Sequence, residues 1–270
     1  DNTLLDFDRQ EAASMRKTLL ERGIDPTPEV LSLFSRINLR HWEMLEEGRL
    51  TRQEVCVGRF RVFFEELGLD LDAGAAEDSY AGHLCEGHYF VPGAQELLEA
   101  LCGQYDLYII SNGNARVQDA RLASSGITKY FKDIFVSETI GFNKPSREFF
   151  DLCFSHIPDF DARRALIIGD SLTSDIRGGI NCGVRTCWFD PKGLPPRADI
   201  PADYTVRSLA EIPALVFYRI KLHGFFIILV ERVRVNTISI YQMRETHHLK
   251  RAVKQLVRAY IYIYGIKPSI

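Results

Sequence analysis

The segment Gly169-Asp170-Ser171-Leu172-Thr173-Ser174-Asp175 follows the apolar run Leu166-Ile167-Ile168 and sets two carboxylates five residues apart. An unbroken apolar run of this length suits a strand of a parallel sheet covered on both faces, and ligands of such sheets gather beyond the strands' carboxyl ends. Asp170 falls at that end, and Asp175 in the first turn of the helix expected to follow. Two carboxylates folded towards one point are tolerable when a cation sits beside them. With no imidazole or thiolate close by, the cation expected is Mg²⁺ rather than zinc. Ser111 closes a second apolar run, Leu107-Tyr108-Ile109-Ile110, and Lys144 stands in Asn143-Lys144-Pro145 just past a third. Asp1-Asn2-Thr3 adds a further carboxyl and hydroxyl. In a parallel sheet these ends share one edge, so a hydroxyl, an ammonium, a metal and a carboxylic acid would face one crevice. That set suits a phosphate ester. Lys144 and the metal neutralise phosphoryl oxygens, Ser111 and the backbone amides of Asn112 and Gly113 donate hydrogen bonds, and a carboxyl group protonates the leaving oxygen.

The elements that must position these groups can be read from periodicity. Residues 8–90 carry helical patterns and no strand-like run. Thr27-Pro28 offers an N-cap with proline at the first helical position, and Val30, Leu31, Phe34 and Ile37 form one face of the helix that follows. Thr51-Arg52-Gln53-Glu54 is a capping box, and Cys56, Phe60, Phe63 and Leu67 make an amphipathic stripe after it. Beyond Val91-Pro92-Gly93 strands and helices alternate: helix Ala94–Leu101, strand Leu107–Ile110, helix Arg116–Ser124, strand Asp133–Ser137, helix Arg147–His156, the Leu166 strand, then strands Val184–Phe189 and Tyr204–Val206. Strands separated by helices of this length mean an α/β fold with a doubly wound, Rossmann-like parallel sheet. The organisation expected is a core made of residues 1–7 and 91–216 with an all-helical cap, residues 8–90, inserted into it.

Composition bounds the rest. The 270 residues are 46% hydrophobic and 26% charged, enough to bury a substantial core. The longest apolar run, Phe225–Val230, is too short to span a bilayer, and no signal peptide opens the chain, so a cytoplasmic location is expected. Six cysteines without a C-x-x-C pair argue for reduced, packed thiols. His83-Leu84-Cys85-Glu86-Gly87-His88 could gather metal ligands, but histidines at a helix end are ordinarily solvated. From Phe217 the chain carries ten Lys or Arg against two acids, a net +8 that leaves −11 on residues 1–216. That break marks residues 217–270 as a basic extension of foreign, read-through or frameshifted origin, with a possible amphipathic helix at Arg251–Tyr260. It could instead dock Phe225–Val230 or Tyr260–Tyr264 as a strand against the core. Neither a membrane nor a nucleic acid is expected as partner, and the oligomeric state is left open.

Taken together, Ser111, Lys144 and Gly169-Asp170-x-x-x-x-Asp175, with Asp1-Asn2-Thr3-Leu4 ahead of them, resemble the motifs of the haloacid dehalogenase superfamily of phosphohydrolases, which run D-x-D-x-T, Ser or Thr, Lys, and G-D-x-x-x-x-D. The likeness covers residues 1 to about 216. Asp1–Phe7, Ser111-Asn112-Gly113 and the acidic loop look most like its noncanonical pyrimidine 5′-nucleotidase branch. The resemblance implies a Mg²⁺-dependent phosphomonoesterase acting on nucleoside 5′-monophosphates, with catalytic roles at Asp1, Ser111 and Lys144, phosphate held by Ser111, Asn112, Gly113 and Lys144, and metal held by Asp1, Asp170 and Asp175.

One departure bears on the chemistry. Asp1 aligns with the second aspartate of D-x-D, which in the family is the general acid and lends the metal its backbone carbonyl. The family's nucleophile, which forms the aspartyl-phosphate, and the central strand that carries it would stand ahead of Asp1. A polypeptide starting at Asp1 is therefore expected not to turn over phosphate esters. A sugar-phosphate or phosphoglycolate phosphatase is the alternative enzyme reading, and a non-catalytic piece that binds phosphate or nothing is the alternative from another class.

Overall fold

A computed structural model describes residues 1–219. The expectations for Phe225–Val230, Arg251–Tyr260 and Tyr260–Tyr264 lie outside the described residues.

Four helices come first: α1 Phe7–Leu20, α2 Pro28–Glu46, α3 Arg52–Glu66 and α4 Ala73–Leu84. Their starts are set by local chemistry. Asp6, Thr27, Thr51 and Asp72 each accept a backbone N–H of the first turn, and Thr51 with Glu54 completes the capping box expected there. The helices close on Met15, Leu19, Phe34, Phe60, Phe63 and Tyr80, all essentially inaccessible to solvent. The buried face of α3 is Val55, Arg59, Phe60, Phe63 and Phe64. Cys56 and Leu67, expected on the stripe, are only half-buried. The face turns because Arg59 is drawn inward, where it donates to Asn38 Oδ1 at 2.7 Å and Glu77 Oε2 at 2.6 Å.

The chain then alternates: α5 Ala94–Leu101, β1 Leu107–Ser111, α6 Ala115–Ser125, β2 Phe131–Val136, α7 Ser137–Ile140, α8 Arg147–Ser155, β3 Leu166–Gly169, α9 Arg177–Asn181, β4 Arg185–Phe189, β5 Tyr204–Val206 and the short α10 Ile212–Ala214. Among the described residues the five strands pair in parallel, in two groups, β1 with β2 and β3-β4-β5. Parallel strands joined through helices make the Rossmann-like α/β arrangement expected, with the four-helix insertion ahead of it. Ser137 ends differently from expectation: it opens α7 instead of closing β2, because its carbonyl accepts Gly141 N–H in a helical turn.

The insertion enters and leaves through paired backbone. Leu5 faces Phe90 in an isolated antiparallel bridge, Asp6 N donates to Tyr89 O at 2.8 Å, and Val91 N donates to Leu4 O at 3.0 Å. Among the described residues no helix is long and apolar enough to cross a membrane.

Candidate active site

Level parallel registers bring the strand ends together. Ser111 pairs opposite Val136, so the loops after β1 and β2 leave one edge, and in the other group Gly169 pairs opposite Trp188. After β3 the chain makes a five-residue π-helical turn, Leu172–Ile176, before α9. Asp175 was expected in the first turn of an α-helix. The wider turn arises because Ser171 O accepts from both Asp175 N and Ile176 N at 3.1 Å, while Ser171 Oγ accepts from Ser174 N at 3.1 Å. This coil lays the Asp175 carboxylate directly over Gly169. A β-carbon at Gly169 would stand 2.2 Å from Asp175 Oδ2, so the position takes only glycine.

Lys144 joins the strand ends. Its Nζ donates to Asp175 Oδ1 at 2.6 Å and to Ile110 O at 3.3 Å, with both charged side chains buried. The Asn112 side chain fixes the lysine's backbone, donating to Lys144 O at 3.0 Å and accepting from Lys144 N at 2.8 Å. Asn112 thus shapes the loop and leaves the lysine ammonium facing the crevice. Ser111 Oγ accepts from Gly113 N at 3.0 Å and from Gln118 Nε2 at 2.8 Å. With both lone pairs engaged, its own proton is left to donate outward.

Asp170 lies opposite. Thr3 Oγ1 donates to Asp170 Oδ1 at 2.9 Å, and Trp188 Nε1 donates to Asp170 O at 2.9 Å. Burial, and then the nearby Asp175 charge, raise the Asp170 carboxyl above the ordinary aspartate range. Asp170 and Asp175 together make a hard-oxygen site, Asp175 held by the Lys144 ammonium and Asp170 by the Thr3 hydroxyl. That donor set fits Mg²⁺. The Asp1 carboxylate points elsewhere, accepting from Gln118 Nε2 at 2.6 Å and pairing with Arg121 Nη1. Among the described residues no three carboxylate, imidazole or thiolate side chains converge as a metal cluster. The Asp1 carboxylate is thus held by Gln118 and Arg121, away from the Asp170 and Asp175 carboxylates. His83 is held between Glu21 and Glu86 at 2.7 and 2.6 Å, and His88 contacts Ser124 Oγ at 2.9 Å, which separates the two histidines.

Four site residues escaped the sequence reading. Gln118 and Arg121 lie three apart on α6, so one helical face presents both to Asp1. Arg121 is fully buried, which pushes its guanidinium down to about 10, and its Nε and Nη2 have no hydrogen-bond partner among the described residues. Their spacing after Ser111 was the available signal. Glu46 and Arg52 come from the insertion: Glu46 Oε2 accepts from Thr173 Oγ1 at 2.6 Å, and burial pushes the Glu46 carboxyl up to about 7. Nothing local in sequence marks either residue.

The haloacid dehalogenase-like hydrolase family model matches residues 1–189. The chain belongs to the haloacid dehalogenase-like hydrolases. It is 42% identical over 212 residues to the HAD-hydrolase YfnB of Bacillus subtilis, covering 78% of this chain and 90% of the relative. The crystal structure of YfnB bound to magnesium superimposes with a TM-score of 0.77 at 41% identity, over 80% of this chain and 95% of that one. The pyrimidine 5′-nucleotidase PynA of Streptococcus pneumoniae is 33% identical over 213 residues, covering 78% of this chain and 90% of the relative. The pyrimidine 5′-nucleotidase YjjG of Escherichia coli is 31% identical over 216 residues, covering 80% of this chain and 94% of the relative. As a haloacid dehalogenase-like hydrolase the chain is a hydrolytic enzyme by family.

Proposed function

We propose that this hydrolase's crevice serves Mg²⁺-dependent hydrolysis of phosphate monoesters, with nucleoside 5′-monophosphates of the pyrimidine type as substrates. The observation that carries the reading is the buried Lys144, which spans from the end of β1 to the Asp175 carboxylate and so brings the hydroxyl, ammonium and acidic groups to one point. The nucleotidase names of PynA and YjjG support the choice of leaving group.

In this reading Ser111 O–H and the Lys144 ammonium hold the phosphoryl oxygens, a charge-assisted set aimed from the end of β1 and the loop after α7. Gln118 keeps the Ser111 oxygen and the Asp1 carboxylate in register, since its Nε2 reaches both. Asp1 passes a proton to the leaving oxygen, and Arg121 fixes the direction of that carboxyl group. A divalent cation held by Asp170, Asp175 and the Asp1 carbonyl would neutralise phosphoryl charge. Residues 8–90 act as the lid over a core of residues 1–7 and 91–216. A cytoplasmic location belongs to the same proposal.

The test uses a polypeptide in which an apolar strand, an aspartate and one spacer precede Asp1. Phosphate release is measured across pyrimidine and purine 5′-monophosphates, sugar phosphates and phosphoglycolate, with and without Mg²⁺. Highest kcat/KM on a pyrimidine 5′-monophosphate with loss of turnover in EDTA is expected. Preference for a sugar phosphate would overturn the substrate assignment, and metal-independent turnover the mechanism.

A further inference from the structure

Two of the attachments of the helical insertion to the α/β portion flank the crevice. One is the paired backbone of residues 4–6 and 89–91. The other lies across the crevice, where the turn between α2 and α3 presents Glu46 and Arg52. Arg52 Nη1 donates to Asn112 O at 2.8 Å and to Gly113 O at 3.1 Å, while Nη2 donates to Ser137 Oγ at 2.5 Å and to Asn143 Oδ1 at 2.8 Å. The Trp42 ring centroid lies 5.8 Å from its guanidinium carbon, which adds a face on which the planar group can rest. One side chain of the insertion thereby grips the loops after both β1 and β2. Glu46 reaches the third loop through Thr173.

Both terminal nitrogens of Arg52 are committed to protein oxygens, so the guanidinium is not a phosphate ligand. Its effect runs through the peptide planes. In a trans peptide the C=O and N–H point in opposite directions. Holding the carbonyls of Asn112 and Gly113 towards the insertion turns the amides of Gly113 and Asn114 away from it, and the Gly113 amide is found on Ser111 Oγ. The same fork reaches Asn143, the neighbour of Lys144. A lysine could supply the charge but not the planar fork that spans two loops.

We propose that Arg52 is a positioning residue that latches the helical insertion to the Ser111–Asn114 and Asn143–Lys144 loops, making closure of the insertion and the arrangement of those loops one coupled equilibrium. The proposal rests on the phosphomonoesterase reading of the site for its purpose, but not for its test. Because coupling is reciprocal, whatever orders the loops favours closure, and losing Arg52 loosens both.

The test is hydrogen exchange on the full chain, comparing wild type with Arg52→Ala and Arg52→Lys. Peptides covering residues 111–115 and 143–146 should exchange at least tenfold faster in Arg52→Ala, while the interiors of α1 to α4 keep wild-type protection. Arg52→Lys should resemble Arg52→Ala and not wild type. In the turnover-competent polypeptide the same variants should raise KM at least tenfold with a smaller loss in kcat. Loop exchange within twofold of wild type in Arg52→Ala, or full recovery of protection by Arg52→Lys, would overturn the latch. The exchange readout does not need turnover, so a failure of the phosphatase reading shows up separately in the substrate panel.

Discussion

Lys144 Nζ lies 2.6 Å from Asp175 Oδ1, and both side chains are shielded from water. Removing one partner of such a pair strands the other charge, which typically costs about 3–5 kcal/mol. Lys144→Ala should therefore lower the denaturant midpoint measured in EDTA, and Lys144→Met combined with Asp175→Asn should recover most of the loss. The catalytic effect separates from this one. Charge-assisted hydrogen bonds are worth about 1.5–3 kcal/mol each, so in the turnover-competent polypeptide Lys144→Ala should lose at least tenfold in kcat/KM, and the double variant should not regain it. An unchanged kcat/KM would return Lys144 to a structural role.

Asp170 accepts a hydrogen bond from the Thr3 hydroxyl, whereas Asp175 pairs directly with the Lys144 ammonium. Asp170→Asn keeps the shape and an acceptor for Thr3 while removing the charge. The expected result is loss of Mg²⁺-dependent turnover with a far-ultraviolet spectrum and melting temperature like wild type. Near-normal activity at limiting Mg²⁺ would contradict the metal assignment.

Within the helical insertion, Glu11 is buried and accepts from Asn38 Nδ2 at 2.5 Å. Burial raises its carboxyl above the ordinary glutamate range. The sign follows from linkage: an acid whose folded pKa is raised contributes fully below its unfolded value, about 4.3, and loses that contribution as pH climbs through the folded value. Glu11→Gln keeps an acceptor for Asn38 without the charge. Its stability relative to wild type should rise as pH climbs above the ordinary glutamate range, as read from urea midpoints. A difference independent of pH would mean that Glu11 is not held against its charge.

Thiol accessibility gives a separate check on the packing. Cys153 and Cys187 are buried, which pushes both thiols up to about 12, whereas Cys102 is exposed. Native protein should label with a thiol reagent fastest at Cys102, with Cys153 and Cys187 reacting only on unfolding. Rapid labelling of Cys187 would place it outside the sheet interior.

Much of this site could be read from sequence because its parts are local. An apolar run ending in Gly-Asp specifies a strand and a loop, and Ser111 closes a run of the same kind. The capping box at Thr51 is likewise a four-residue signal. What could not be read depends on distant partners. Arg52 acts on carbonyls 60 and 61 residues away, and Glu46 on a hydroxyl 127 residues away, so no spacing marks them. The π-helical turn was also hidden, because it arises from Ser171 O accepting two amides and not from any residue's helical preference.

The central claim is that the residues around Lys144 bind and release a phosphoryl group from a pyrimidine nucleotide. It is met most directly by measuring inorganic phosphate released from uridine 5′-monophosphate by two purified polypeptides. One starts at Asp1, and the other carries an apolar strand, an aspartate and a spacer ahead of it, with Asp1→Asn as its control. The account predicts Mg²⁺-dependent release by the longer polypeptide alone, lost in its Asp1→Asn variant. Robust release by the polypeptide that starts at Asp1, or undiminished release by the Asp1→Asn variant, would contradict it.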